Sequence, residues 1–248
     1  MDFRGIIVAL ITIGILVTVH ELGHFMVAKM MGMRVDEFAI GFGPILWKKQ
    51  KGETLYALRA IPLGGFNRIA GMNPEDPWTE DGYKAKSILA RMFTIVAGAL
   101  MNFVLAAVVF AIIYFFWRNT GFFASVWGGI MHMVKVTVWM LQGFWTMIFG
   151  KEAVDLAGPL GVVMVAGDVA AHGMRAVLNF VAFLSVNLGI INLLPLPALD
   201  GGHFVLLILE ALRGKPLPDK AMEYIQYLGI AIILSIVIFS TYQDILRF

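Results

Sequence analysis

An uncharged apolar run from Ile6 to Val19 constrains the fold of this chain more than any other segment. The run continues without a break into the pentapeptide HELGH at residues 20–24, and the next charged residue after the pentapeptide is Lys29. An apolar stretch of this length predicts a helix that spans a membrane, from about residue 5 to residue 28. Ionisable side chains inside such a helix are costly and mark a functional site by default. The first span is therefore expected to carry such a site.

The pentapeptide has the pattern H-E-x-x-H. Two histidines four residues apart share one face of a helix, so both imidazoles point the same way. Two neutral imidazoles at this spacing can hold one Zn²⁺, and the adjacent glutamate can act on a metal-bound water. The alternative is two ordinary helix histidines near a membrane surface. The position inside a span favours the metal site, with His20 and His24 as ligands and Glu21 as the base.

The composition of the chain predicts a polytopic membrane protein. Of the 248 residues, 59% are hydrophobic and only 15% are charged, and the mean hydropathy is +0.81. A net charge of +2 gives no reason to expect nucleic acid as a partner. The chain has no cysteine, which excludes disulfides and thiolate ligands, so any metal must be held by His, Asp or Glu. The first apolar run lacks the cleavage site of a signal peptide.

Four spans are predicted from the apolar runs, at about residues 5–28, 92–117, 176–209 and 224–240. The segments Lys29–Arg91 and Arg213–Lys220 together hold 13 of the 19 Lys and Arg residues. Basic residues concentrate on the cytoplasmic side of membrane proteins, so both segments are expected inside and both termini outside. The site is then expected in the cytoplasmic half of the bilayer, with His24 about 7 Å and His20 about 13 Å deep.

The segment Glu53–Ile69 differs from the spans in its pattern. Short apolar runs, Pro62 and the pair Gly64-Gly65 predict strands and a turn over residues 53–69. Exposed backbone cannot face lipid, so this β element is expected to dip beside the site and to line protein or water. Its edge is a candidate for accepting an extended peptide by strand addition. The alternative is a hairpin that packs only on its neighbours.

The stretch from Phe122 to Gly150 is apolar and rich in tryptophan, but glycines, His132, Lys135 and Gln142 interrupt it. It is long enough to span the membrane. A span here would invert everything after it and would move Asp200 to the outer half of the bilayer. Amphipathic helices on the outer face are therefore expected instead.

A second polar motif, NLLPLPALDGGH at residues 192–203, interrupts the third predicted span. Pro195 and Pro197 remove backbone donors, and Gly201-Gly202 permits unusual dihedral angles, so a continuous helix is not expected here. A broken helix inside a membrane frees backbone groups that must be satisfied or used. The motif is therefore a candidate for the second half of the site.

Asp200 in this motif is the expected partner of the two histidines. It lies ten residues before Glu210, and His20 lies nine residues before Lys29, so the two groups reach similar depth in spans that both run inwards. Two imidazoles and one carboxylate leave the fourth zinc position open for water, the arrangement of a catalytic site. His203, three residues further on, is the competing third ligand.

Together the two motifs resemble the site-2 protease family of intramembrane zinc metalloproteases, and most closely its bacterial regulator of sigma-E protease type. The resemblance covers nearly the whole chain. Besides the two motifs, it rests on GFGP at residues 41–44, IPLGGF at 61–66, AGALMNF at 97–103 and AGPLG at 157–161. HExxH alone is only moderately specific, whereas its pairing with the second motif inside membrane spans is highly specific.

The resemblance implies an α-helical polytopic membrane protein that forms a single membrane-embedded protease domain over residues 1–248. It implies a Zn²⁺ cofactor held by His20, His24 and Asp200, with Glu21 as the base that activates a zinc-bound water. It also implies that residues 61–68 form a membrane-reentrant β-loop. The residues expected to hold the substrate strand are Asn192, Pro195, Pro197, Gly64, Gly65 and Phe66.

The implied activity is hydrolysis of peptide bonds within or near the transmembrane segments of single-span membrane proteins, such as anti-sigma factors or signal-peptide remnants. The implied location is the bacterial inner membrane, with the lipid bilayer as a partner. The chain departs from the family pattern in two places. Only a short turn at Arg118–Gly121 occupies the place of the usual PDZ domains, and Ala99 stands where the AGPxxNF segment usually has proline.

The main alternative is a metal or ion transporter, because a broken helix with buried Asp and His groups also suits ion passage. Inverted-repeat symmetry, which would favour a transporter, is not apparent in the sequence. A non-catalytic membrane scaffold is a further alternative, but such a role would not need Glu21. The oligomeric state does not follow from the sequence.

Overall fold

The structure is a computed structural model that describes residues 3–73, 75–150 and 158–247. Ala157 of the AGPLG motif lies outside the described residues. The helices, in chain order, are α1 Phe3–Met30, α2 Ile88–Arg118, α3 Phe122–Phe149, α4 Pro159–Ala171, α5 Met174–Leu193, α6 Asp200–Arg213 and α7 Asp219–Arg247. The strands are β1 Val35–Lys51 and β2 Thr54–Ile69, and a short 3₁₀ turn covers Tyr83–Ala85.

Four helices in the described part of the chain are long and apolar enough to cross a membrane, at Phe3–Met30, Ile88–Arg118, Met174–Leu193 and Lys220–Leu246. Many large apolar side chains on these helices point away from the protein, such as Phe93 and Leu100 on α2. A continuous apolar surface of this kind is unfavourable in water but suits lipid. The prediction of a polytopic α-helical membrane protein with four spans is confirmed.

The third predicted span is two helices in the structure, because α5 ends at Leu193 and α6 begins at Asp200. Ala198 between them has a positive φ of 68°, which is uncommon for a residue with a side chain. The broken segment folds back onto the first turn of α6, where an added Cβ on Gly202 would lie only 2.2 Å from the carbonyl oxygen of Leu196. The glycine pair therefore lets the segment pack closely on the start of the helix.

The β element is larger than the sequence predicts. The whole of Thr54–Ile69 is a single strand, and its partner Val35–Lys51 lies outside the predicted range of residues 53–69. The two strands form an antiparallel hairpin whose turn lies between Lys51 and Thr54. The prediction of more than one strand and a turn within residues 53–69 is therefore wrong in detail, because this range is almost entirely one strand and the turn lies at its start. The first strand was not predicted because Gly41 and Gly43 are residues typical of loops. Both have positive φ values, 86° and 80°, which are unusual within a strand.

The first part of β1 lies between the two ends of β2. Phe38, for example, pairs with Asn67 on one side and with Tyr56 on the other, whereas the second part of β1 pairs only with residues 54–59. At this level the sheet is therefore three segments wide, because both ends of β2 flank the first part of β1. This arrangement gives residues 65–69 of β2 a place at the margin of the sheet, and Phe66 and Asn67 there line the cavity described below.

Helix α3 is one continuous helix, and it is not among the four candidate spans. It packs along α2 so closely that an added Cβ on Gly129 would lie 2.5 Å from the carbonyl oxygen of Ala107. The Tyr114 hydroxyl on α2 also lies 3.3 Å from Nδ1 of His132 on α3. The expected placement of this segment on the outer face of the membrane stays a prediction.

The chain forms two compact units. One unit contains the described residues up to Thr12, Asn102–Ile190 and the residues from Ile232 onward, and the other contains Ile13–Met101 and Ile191–Ala231. The core of the first unit joins α2, α3 and α5 through Ala106, Val109, Phe110, Ile113, Met140, Ala182, Val186 and Ile190. The core of the second unit includes Ala28, Met33, Val35, Ile69, Tyr83, Ile95 and Leu207.

A buried carboxylate caps the N-terminal end of α4 in the first unit. Asp244 on α7 is only 1% exposed, and its two oxygens accept hydrogen bonds from the backbone N–H groups of Gly158 and Gly161 at 3.1 and 2.8 Å. The first N–H groups of a helix have no partner within the helix, and a negative charge at this end is favourable. Asp244 therefore joins α7 to the start of α4.

We predict that Asp244→Ala lowers the stability of the protein. The substitution leaves two buried N–H groups without their acceptor, which costs about 1–3 kcal/mol for each unsatisfied group. Thermal unfolding of the purified protein in detergent should begin at a lower temperature than for the unchanged chain. Asp168→Ala, at an exposed position on α4, is the matched control, and equal stability of the two variants would contradict this role of Asp244.

Candidate active site

The two histidines of HELGH lie side by side on α1. Both are buried, at 7% exposure each, and their Nε2 atoms are 3.1 Å apart. Oδ2 of Asp200, at the start of α6, lies 3.1 Å from Nε2 of His20 and 3.5 Å from Nε2 of His24. The structure therefore brings the three predicted ligands together. Each offers one atom to a common point, as a metal ion requires.

The spacing of these three atoms suits a tetrahedral ion. With bonds of about 2.0–2.2 Å to nitrogen and oxygen, two ligands of a tetrahedral zinc lie about 3.3–3.6 Å apart. The observed separations of 3.1–3.5 Å are close to this range. Two imidazole nitrogens and a carboxylate oxygen are also ligands that zinc accepts in catalytic sites. The donor set and its geometry therefore fit zinc.

The ring of His24 is oriented by a hydrogen bond to α2. Nδ1 of His24 donates to the backbone carbonyl oxygen of Thr94 at 2.8 Å. A carbonyl oxygen can only accept, so Nδ1 carries the proton and the lone pair of Nε2 is free to bind a metal. Such outer partners of a ligating histidine set both the tautomer and the direction of the ring.

The predicted base, Glu21, lies on the wall of a cavity of about 1170 Å³ together with both histidines and Asp200. Asn67 of β2 contacts the same stretch of α1, because its Nδ2 donates to the backbone oxygen of Glu21 at 3.3 Å. The cavity thus reaches the margin of the sheet. Its lining also includes Tyr83 and Arg91, as well as residues of the segments 216–218 and 222–226.

The predicted substrate-holding residues separate into two groups. Phe66 and Asn192 line the cavity. Within the described part of the chain, Gly64, Gly65, Pro195 and Pro197 are not among the lining residues. The glycines instead permit close packing, since an added Cβ on Gly64 would lie 3.0 Å from Val17 and one on Gly65 would lie 2.5 Å from the oxygen of Ala39. An added Cβ on Gly229 of α7 would likewise lie 2.2 Å from the oxygen of Pro197.

His203, the competing third ligand, also lines the cavity. Among the described residues, however, the group whose ligand atoms converge consists of His20, His24 and Asp200. The position of Asp200 as the first residue of α6 explains the difference, because the break before it turns its side chain towards α1. His203 lies three residues further along the helix, on the same face.

Comparison with known proteins identifies the family. The profile described as Peptidase family M50 matches residues 8–236, which is most of the chain. The chain belongs to peptidase family M50.

Similar proteins align with this M50 peptidase over almost its whole length. A predicted zinc metalloprotease of Clostridium acetobutylicum is 27% identical, with 99% of this chain and 98% of that protein aligned. A predicted zinc metalloprotease of Synechocystis is 28% identical, with 100% and 96% aligned. The zinc metalloprotease RasP of Geobacillus kaustophilus is 25% identical, with 99% and 98% aligned. The protein is a zinc metalloprotease, and the resemblance to the site-2 proteases is confirmed.

The M50 peptidase is shorter than these relatives. The alignment with the Clostridium protein extends over 336 positions, whereas this chain has 248 residues. At least 88 aligned positions therefore have no counterpart in this chain. This difference agrees with the expected absence of a PDZ domain.

Three residues of the M50 peptidase site were not singled out as site residues from the sequence. Thr94 orients His24, Asn67 contacts the backbone of Glu21, and Gly98 of α2 leaves the space that the imidazoles occupy. An added Cβ on Gly98 would lie 2.3 Å from Nε2 of His24 and 2.8 Å from Cε1 of His20. Gly98 lies in the AGALMNF segment, where a small residue indicates that two helices pack closely. That pattern does not indicate that the glycine leaves space for histidine rings.

We predict that Gly98→Ala weakens zinc binding by the M50 peptidase. The added methyl group occupies the space of both ligand rings, so the imidazoles must move away from the converging geometry. Zinc content per protein and affinity in competition with a chelator should both fall, the affinity by about tenfold or more, as for loss of a residue that supports a ligand.

Gly143→Ala is the matched control for this measurement. Gly143 lies in α3, and an added Cβ there meets no atom within 4 Å. This variant should keep the zinc content and affinity of the unchanged protein. Full zinc content and unchanged affinity in Gly98→Ala would contradict the role of Gly98.

Proposed function

We propose that this protein hydrolyses peptide bonds within the bilayer, in or near the transmembrane segments of single-span membrane proteins. In this proposal His20, His24 and Asp200 hold the zinc ion and Glu21 is the catalytic base. The observation that carries the proposal is the convergence of three ligand atoms at 3.1–3.5 Å, next to Glu21, on the wall of one cavity.

The proposed chemistry divides between the metal and Glu21. Bound zinc lowers the pKa of a water molecule and polarises a carbonyl group. Glu21 takes a proton from the attacking water and later gives it to the nitrogen of the leaving amine. Both transfers use the same carboxylate, so Glu21 ends each cycle in its starting state. Asn67, bonded to the backbone of Glu21, supports the position of this residue relative to β2.

A transmembrane substrate requires an extended binding site. The carbonyl groups of a helix are occupied by hydrogen bonds within the helix, so the cleaved segment must unwind before attack. Pairing with a strand replaces the lost hydrogen bonds. Phe66 and Asn67 on β2 and Asn192 at the end of α5 line the cavity and are the proposed contacts of the extended segment. Gly64, Gly65 and Pro197 support the same segments by close packing, and Pro195 lies in the break between α5 and α6.

The proposed substrates are remnants of single-span proteins, such as anti-sigma factors or signal peptides, in the bacterial inner membrane. The family resemblance supports this class. The distribution of Lys and Arg supports an orientation with the site in the cytoplasmic half of the membrane and both termini outside. Only the short turn at Arg118–Gly121 stands where family members usually carry PDZ domains, so substrate exclusion by a PDZ domain is not part of this proposal.

We predict that Glu21→Gln keeps zinc and loses cleavage of a single-span test substrate in detergent. Glutamine preserves the shape of the side chain but cannot take a proton, and the loss of a general base costs about 10²–10⁴-fold in rate. Removal of zinc by a chelator should stop cleavage by the unchanged protein. The exposed Glu80→Gln variant is the matched control and should cleave normally. Cleavage at the normal rate by Glu21→Gln would remove Glu21 as the base.

Zinc content also tests the choice between the two candidate third ligands. Asp200→Asn should lose most of its zinc, because the carboxylate contributes one of the three converging atoms. His203→Ala should keep its zinc. Full zinc content in Asp200→Asn, with loss of zinc in His203→Ala, would transfer the ligand role to His203.

A further inference from the structure

The strand β1 ends in an exposed row of basic residues, Lys48, Lys49 and Lys51, which we call the lysine row. The residues that precede the row on the strand are apolar and also exposed: Leu46 is 68% exposed and Trp47 is 55% exposed. The strand therefore changes along its length from an exposed apolar part to an exposed basic part. In water the exposed apolar part would be unfavourable, whereas a lipid surface accommodates both parts.

Two contacts with α1 determine how deep the β element lies. At one end, the carbonyl oxygen of Pro62 lies 2.8 Å from the position of an added Cβ on Gly14. At the other end, Glu53 in the hairpin turn forms an ion pair with Lys29, next to the end of α1. The fifteen residues from Gly14 to Lys29 correspond to about 22 Å along the helix axis. The β element therefore runs beside the span from its middle to its end.

These contacts place the lysine row at the level where the span ends. Lys51 pairs with Thr54 beside the hairpin turn, whereas Ile45 pairs with Arg59, three residues before Pro62. The apolar part of the strand then lies at the depth of hydrocarbon and the lysine row near the headgroups. Tryptophan and lysine are the residues that favour this boundary.

Among the described residues the lysine row has no acidic partner. In the described part of the chain none of its three side chains forms an ion pair, whereas the neighbouring Lys29 and Arg59 pair with Glu53 and Glu37. Lys48 lies on one face of the strand and Lys49 and Lys51 on the other, so these exposed ammonium groups concentrate positive charge at one level of the membrane. Phosphate groups of lipids are the anions present at that level.

We propose that the lysine row binds the headgroups of anionic phospholipids and thereby holds the β element beside the span. The ammonium groups contact the headgroup phosphates while Leu46 and Trp47 lie against the acyl chains. The margin of the same sheet carries Phe66 and Asn67, which line the cavity. The lipid charge of the membrane therefore determines how firmly one wall of the cavity is held.

Hydrogen exchange of the full-length protein in lipid nanodiscs tests the proposal. The backbone N–H groups of residues 45–59 should exchange more slowly in phosphatidylcholine mixed with phosphatidylglycerol than in phosphatidylcholine alone. Each lysine near an anionic surface is worth about a factor of five in affinity, so a protection difference of about fivefold or more is expected. High salt should reduce the difference because it screens the charges. Inorganic phosphate added to phosphatidylcholine nanodiscs should produce no protection, which separates lipid from free phosphate.

Three variants complete the test. Changing Lys48, Lys49 and Lys51 together to glutamine should abolish the lipid-dependent protection while zinc content, which reports folding, is kept. Changing them to arginine, which retains the charge, should preserve the protection. Changing Arg213, Lys215 and Lys220 to glutamine removes the same charge from another exposed basic segment and should also preserve it. Equal exchange in the two lipids, or equal loss of protection in both glutamine variants, would overturn the proposal.

Discussion

The convergence of two imidazoles and one carboxylate at a buried point is the constraint on which the structure depends. Polar side chains are costly inside an apolar helix unless they bind one another or a metal. His20 and His24 come to this point from α1 and Asp200 from α6, and their ligand atoms lie 3.1–3.5 Å apart. This geometry requires free space on the third side, and Gly98 on α2 leaves it. The close approach of α2 to α1 at Gly98 is therefore matched to the space that the two imidazole rings occupy.

The break between α5 and α6 is the second requirement, because it determines where Asp200 points. If the helix continued through residues 194–199, the direction of the Asp200 side chain would be set only by its position around the helix axis. The prolines end α5, and Gly202 lets the broken segment pack on the start of α6. An ion pair between Arg91 on α2 and Glu210 on α6, with nitrogen–oxygen distances of 3.1 and 2.5 Å, then ties the far end of α6 to α2.

The β element gives a membrane-embedded protease something that helices cannot supply. Its backbone N–H and C=O groups can form hydrogen bonds with a separate segment, whereas those of a helix bond within the helix. Strands beside a membrane span are acceptable only where their polar groups are satisfied and their depth is controlled. Pro62 at Gly14 and Glu53 at Lys29 control the depth, and double pairing of residues 37–40 satisfies much of the backbone. The cavity margin at Phe66 and Asn67 is thereby held close to Glu21.

The sequence by itself determined the spans, the shared face of His20 and His24, and the break before Asp200, because helical periodicity, hydropathy and the chemistry of proline and glycine act locally. It placed only part of the β element, since the glycines of β1 resemble a loop and strand partners are chosen through space. It also predicted Asp200 as the partner of the histidines, with His203 as a competitor, but the convergence of the three ligand atoms is a property of the tertiary structure. The tertiary structure also revealed Thr94, Gly98 and Asn67, whose roles depend on distances between segments that are far apart in the chain.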